Sequence, residues 1–112
     1  MSSINIIPVI IGADLNAYNI ARAFHEAYRV KSHVFGRFAV SATKYSSIVK
    51  THLVPDLTEG DGERLAAVLD EFSRSHPDAS MPLFGCTDEY VLMIIDLAAK
   101  GRLDARYAVP YT

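Results

Sequence analysis

The sequence predicts an α/β fold, with a mainly parallel sheet of four to five strands covered by helices on both faces. Three observations lead there. Short apolar runs that close on glycine recur along the chain, at Ile6–Gly12, Ser32–Gly36 and Met81–Gly85. The first run, Ile6-Ile7-Pro8-Val9-Ile10-Ile11, is rich in β-branched residues and does not alternate with polar ones, which marks a strand buried on both faces. The elements then follow in the order β-α-β-β-α-β-α-β, the alternation that gives parallel sheets.

Each element has its own justification. Pro8 lacks an N–H, so pairing of the first strand is expected to begin just after it. Asn16 to Tyr28 reads as a helix, with Ala17, Ile20, Ala21, Phe24 and Tyr28 at helical spacing on the apolar face. Asp14 or Asn16 is its natural N-cap, since either side chain can accept a free backbone N–H. Ser32–Gly36 is the second strand, and Arg37 to Val49 reads as a hydroxyl-rich loop. A third short strand is expected over Thr51 to Val54, stopped by Pro55, and Thr58 to Gly62 is turn material. Leu65, Val68, Leu69 and Phe72 mark a second amphipathic helix ending near His76-Pro77. Met81–Gly85 is the next strand, Asp88 to Lys100 a third helix with Gly101 as its C′ residue, and Tyr107 to Pro110 a last short strand. Right-handed crossovers then give a three-layer, Rossmann-like sandwich of strand order 3-2-1-4, with the last strand beyond the fourth.

Composition narrows the function. The 112 residues make about one domain, half of them apolar, with 11 basic and 13 acidic residues and a net charge of −2. No block of either sign suggests nucleic-acid binding or attachment to a membrane surface. The apolar stretches are too short to span a bilayer, no secretory signal opens the chain, and one cysteine excludes an internal disulfide. A cytoplasmic location is expected. The third helix stands out, because Tyr90-Val91-Leu92-Met93-Ile94-Ile95 is apolar on nearly every face. Either it lies unusually deep in a small core, or its outer face packs on another domain or subunit. Self-association of the 112-residue chain is therefore also expected.

In open α/β sheets ligands bind beyond the carboxyl ends of the strands, where the strand order reverses. Two loops fall there, Gly12-Ala13-Asp14-Leu15-Asn16 and Gly85-Cys86-Thr87-Asp88-Glu89. Taken singly, their acids and amides read as helix caps before ligand contacts, and Thr87 equally as a plain N-cap, but their convergence on one edge favours contact of at least one with a polar ligand. Dinucleotide binding is disfavoured, because Gly12 stands without its partner glycines and Asp14 would repel a pyrophosphate. Cys86 reads as a packed, inert thiol, since Asp88 and Glu89 oppose a thiolate. Ser41-Ala42-Thr43-Lys44 matches a serine acyl-enzyme pattern by coincidence, lacking the companion motifs. His25, His33, His52 and His76 are scattered without ligand spacing and read as surface or partly packed residues.

Taken in order, the motifs resemble a known family. Pro8–Tyr18 followed by Ile20–Glu26 is similar to the opening of ATP-grasp carboxylate–amine ligases, in particular their D-aspartate ligase-like branch. Lys31–Gly36 looks like that family's second strand, Thr43–Val49 its Ser/Lys-rich segment, and Pro82–Tyr90 the strand and polar turn at its substrate edge. The resemblance implies a pre-ATP-grasp domain, with the catalytic ATP-grasp domain downstream of Thr112. Family enzymes use ATP and Mg²⁺ to activate a carboxylate as an acylphosphate, which an amine then attacks. Those cofactors, the metal ligands and the catalytic arginine are expected outside these residues, which leaves no catalytic residue here. Gly12, Asp14, Asn16, Thr87, Asp88 and Glu89 are the candidate contacts to a small carboxylate or amine, acting by hydrogen bonding and positioning. The alternatives are a stand-alone α/β module that binds a small ligand or a protein, and a receiver-like or flavodoxin-like domain. For the latter, Asp14 with Asp88 supplies only part of an acidic cluster.

Overall fold

The computed structural model describes residues 5–12, 15–36, 47–57 and 62–110, and of residues 15 and 16 the backbone alone. The strands are β1 (Val9–Ile11), β2 (Ser32–Gly36), β3 (Val49–Leu53), β4 (Met81–Gly85) and β5 (Tyr107–Ala108). The helices are α1 (Leu15–Tyr28), α2 (Gly62–Arg74) and α3 (Asp88–Ala99). All five strands are parallel, in the order β3-β2-β1-β4-β5, as a right-handed doubly wound sheet requires.

The lack of alternation in β1 has the expected cause. Val9 and Ile11 pack with α2 and α3 on one face, Ile10 packs with Ala17 and Ala21 of α1 on the other, and all three strand residues are fully buried. The sheet is the middle of three layers. Its larger core joins Leu83 and Met81 of β4 to Leu65, Leu69 and Phe72 of α2 and Met93, Ile94 and Leu97 of α3. Pairing of β1 starts at Val9, and Pro8 takes part only through its carbonyl, which accepts the His33 N–H at 2.8 Å. In β4 the ladder is handed over at Pro82. The strand pairs with β5 over Met81–Pro82 and with β1 over Leu83–Gly85.

Three local expectations are corrected. The third strand runs over Val49–Leu53 rather than Thr51–Val54, because Ser32 to Gly36 pairs residue by residue with Val49 to Leu53. Helix α1 opens at Leu15, so Asn16 lies inside its first turn and is not the N-cap, while Asp14 lies outside the described residues. Tyr28 is 55% exposed instead of buried, because it occupies the last turn of α1 and rests on the Phe24 ring (6.0 Å between centroids) rather than on the sheet. The remaining residues of the Arg37–Val49 loop, including most of the Thr43–Val49 segment and the whole of Ser41–Lys44, lie outside the described residues up to Ser46.

Helix α3 is closed at both ends by side-chain and backbone logic. Thr87 is its N-cap, accepting the Tyr90 N–H at 3.2 Å. At the other end Gly101 sits at φ +68°, its N–H bonds Ala98 O at 3.1 Å, and the Arg102 N–H bonds Leu97 O at 2.9 Å. That is the paired Schellman arrangement, and it needs a residue tolerant of positive φ. Between these ends α3 is not sunk in the core. Tyr90, Met93, Ile94 and Leu97 are buried, whereas Leu92 (59% exposed) and Ile95 (37%) form a solvent-facing apolar stripe. The deep-helix alternative is thus overturned. The C-terminal segment is tied back onto α2 by the Tyr107 hydroxyl donating to Leu69 O at 2.6 Å and by Arg106 reaching Ser73 O at 2.8 Å.

Candidate functional site

The topology brings the two glycine turns together at the carboxyl ends of the central strands, where the order reverses between β1 and β4. Ile11 pairs with Gly85 in register, so Gly12 and Cys86 leave the sheet side by side. They are laced by backbone. The Cys86 N–H donates to Ile11 O at 2.9 Å, and the Gly12 N–H donates across to Phe35 O at 2.7 Å. The Cys86 thiol donates to Gly12 O at 3.0 Å, consistent with a packed rather than an open thiol.

The two glycines are required for different reasons. Gly12 has φ +101°, a conformation costly for any residue with a Cβ, and such an atom would also lie 3.2 Å from the Cys86 Cβ. At Gly85 space decides the matter, since an added Cβ would sit 2.8 Å from the Val91 backbone N. The missing side chain lets α3 begin directly on the end of β4. Thr87 is engaged as the cap, and Asp88 and Glu89 stand exposed in the first turn of α3, where their charge suits the positive end of the helix dipole. Gly12, Thr87, Asp88 and Glu89 therefore share one edge of the sheet. Asp14 lies outside the described residues and the Asn16 side chain is not described.

At both glycines the space a side chain would take is filled from within the fold, by Cys86 and Tyr90 beside Gly12 and by Tyr90 and Val91 beside Gly85. Among the described residues no group of three or more His, Cys, Asp or Glu side chains is placed to hold a metal ion. Asp88 and Glu89 place two carboxylates at this edge, at the start of α3.

A second constellation was not foreseen. Three of the four histidines converge at the β2–β3 end of the sheet, on the α2 face. His33 Nδ1 and His52 Nε2 are 2.8 Å apart, and His76 Nδ1 donates to Phe72 O at 3.0 Å. The register pairs His33 with Lys50 and Phe35 with His52, so alternate residues of both strands point at α2. His52 lies over Phe35 with centroids 4.5 Å apart and planes 11° apart, and Phe72 meets Phe35 edge-on at 5.2 Å. Burial, then the neighbouring His52, His76 and Lys50, pulls His33 from its ordinary 6.5 down to about 4. His52 is lowered too, by burial and then by Lys50 and His76. Beside this cluster runs a groove of about 290 Å³ between β3 and α2, with His52, Phe35 and Phe72 as its wall and Arg64 and Glu71 along its helix side. Only strand register and facing could have revealed the cluster, since spacing along the chain carries no trace of it.

No protein-family model matches the chain, and no solved structure matches it. The chain is 29% identical over 107 residues to a D-aspartate ligase of Enterococcus faecium (strain Aus0004). That alignment takes in 94% of the chain and 25% of the ligase, so the chain spans about a quarter of that relative's length. Among the described residues no helix is long and apolar enough to cross a membrane. A Rossmann-like α/β unit with likeness to part of a D-aspartate ligase is what sequence and fold together establish.

Proposed function

We propose that this chain is the substrate-side, pre-ATP-grasp domain of an ATP-dependent carboxylate–amine ligase of the D-aspartate ligase type. One observation carries the reading, namely end-to-end similarity of the chain to a quarter of such a ligase. The exposed Leu92–Ile95 stripe supports it, because a neighbouring domain of a longer protein would cover that face. The same stripe counts against a stand-alone binding module. ATP and Mg²⁺ are assigned to parts of the enzyme beyond this segment, where an acylphosphate would form.

Within the segment, the Gly12 and Gly85 turns position substrate. Asp88 and Glu89 carry negative charge to the edge where a ligand would sit, which favours the amine over the carboxylate. Their contribution would be orientation of the attacking nitrogen and attraction of its ammonium form. The test is kinetic. In the full-length protein, Asp88→Asn with Glu89→Gln is expected to raise KM for the amine at least several-fold and leave KM for ATP unchanged. Equal effects on both, or none on either, would remove these acids from the amine side.

A further inference from the structure

The imidazole pair at the β2–β3 end has a proton count that constrains what it can do. At 2.8 Å between His33 Nδ1 and His52 Nε2, with ring centroids 5.0 Å apart and planes within 16°, one proton lies between the two nitrogens. The neutral pair holds that proton and one more on an outer nitrogen. A first added proton takes the other outer nitrogen and leaves the inner bond intact. A second must enter the inner position, setting N–H against N–H between two adjacent cations, and the pair has to part.

The surroundings decide which ring leaves. His33 sits on a strand flanked by β1 and β3, with the Phe72 ring at 4.9 Å and the His76 ring at 5.8 Å. His52 belongs to the outermost strand of the sheet and borders the groove. The charged and titratable groups around the pair come from two elements. Lys50 of β3 and His76, just beyond the end of α2, both oppose protonation of the pair. From α2, Arg64 and Glu71 border the groove with His52, one of each sign, and Arg64 Nε lies 3.0 Å from the Asp56 carboxylate. Toward β1 the register neighbour is Val9, which is apolar.

We propose that His33 and His52 form a two-proton latch on the groove between β3 and α2. Neutral or singly protonated, the pair keeps His52 stacked on Phe35 and the groove wall closed. Doubly protonated, it releases His52 toward solvent and uncovers Phe35 and Phe72. Burial and the neighbouring cations, which hold both imidazoles below their ordinary range, place the release in mildly to strongly acidic solution. The inference does not depend on the ligase reading, since it concerns the β3 end of the sheet and not the central turns.

The test is an NMR titration of the 112-residue chain from about pH 7.5 to about pH 3.5, following the imidazole nitrogens and the Phe35 and Phe72 rings. The expected result is that both rings of the pair titrate below their ordinary range. The Phe35 and Phe72 signals should hold through the first protonation of the pair and move together at the second, lower step, while the Val9–Ile11 amides keep their positions. His52→Phe retains the stack and removes the proton site, so the Phe35 and Phe72 shifts should vanish over the same range. His76→Gln removes one opposing cation and should move the transition upward in pH. Phenylalanine signals that already move with the first proton, immobile phenylalanine rings through both protonations, or undiminished ring shifts in His52→Phe would each overturn the latch.

Discussion

The centre of the sheet and its β3 end are built by opposite means. At the centre, β1 and β4 finish on Gly12 and Gly85, and each glycine is fixed by a backbone demand that the local chain announces. At the β3 end, His33, His52 and His76 come from two strands and from just beyond the end of a helix. They meet only because Ser32–Gly36 and Val49–Leu53 pair in one register with one facing. The centre is rigid by sterics, whereas the edge is held by a proton. That difference predicts that the centre responds to added atoms and the edge to added protons.

The largest effect should come from Gly85→Ala. The new Cβ meets backbone 2.8 Å away, which cannot rotate aside, so a loss of about 3 kcal/mol is expected in urea unfolding. Gly12→Ala adds positive-φ strain and a 3.2 Å contact to Cys86, and about 2 kcal/mol is expected in the same assay. If both variants unfold like the parent chain, the central turns are looser than described.

The edge should show the pH response. Because the folded pair resists protons that the unfolded imidazoles accept near 6.5, stability from His33 is complete above that pH and is lost as pH falls toward 4. Solvent screening at a half-buried ring trims the effect to about 1–2 kcal/mol, to be read from urea midpoints at neutral and acidic pH. Replacing His33 and His52 together by phenylalanine should flatten that dependence. A smaller change, about 1 kcal/mol, is expected for Thr87→Ala, which leaves the Tyr90 N–H without its cap acceptor. Least of all should be Leu92→Lys with Ile95→Lys, within about 0.5 kcal/mol of the parent, because both side chains face solvent. In sedimentation the same pair should reduce any self-association of the isolated chain.

The contrast also explains what could be read in advance. Strand order, the β4 boundaries, the Thr87 cap and the Gly101 terminus depend on nearest neighbours in the chain or on general crossover handedness, and each was legible. The two residues by which β3 starts early were not, because that boundary is set by the partner strand and not by the Pro55 that stops it. The exposure of Tyr28 was hidden for a similar reason, since helical spacing fixes the face of α1 but not how far the sheet extends beneath it. Of the candidate contacts, Gly12 and Thr87 have defined structural duties, whereas the Asp88 and Glu89 side chains are exposed. Asp14 and the Asn16 side chain belong to positions the structure leaves undescribed.

The most direct measurement compares ADP formation by the full-length protein with that by these 112 residues alone, in the presence of ATP, Mg²⁺, D-aspartate and an amine acceptor. A substrate-side domain predicts turnover that requires both the carboxylate and the amine in the full-length protein, and none in the isolated segment. ADP formation by the segment itself, or a full-length protein indifferent to every carboxylate–amine pair, would contradict it.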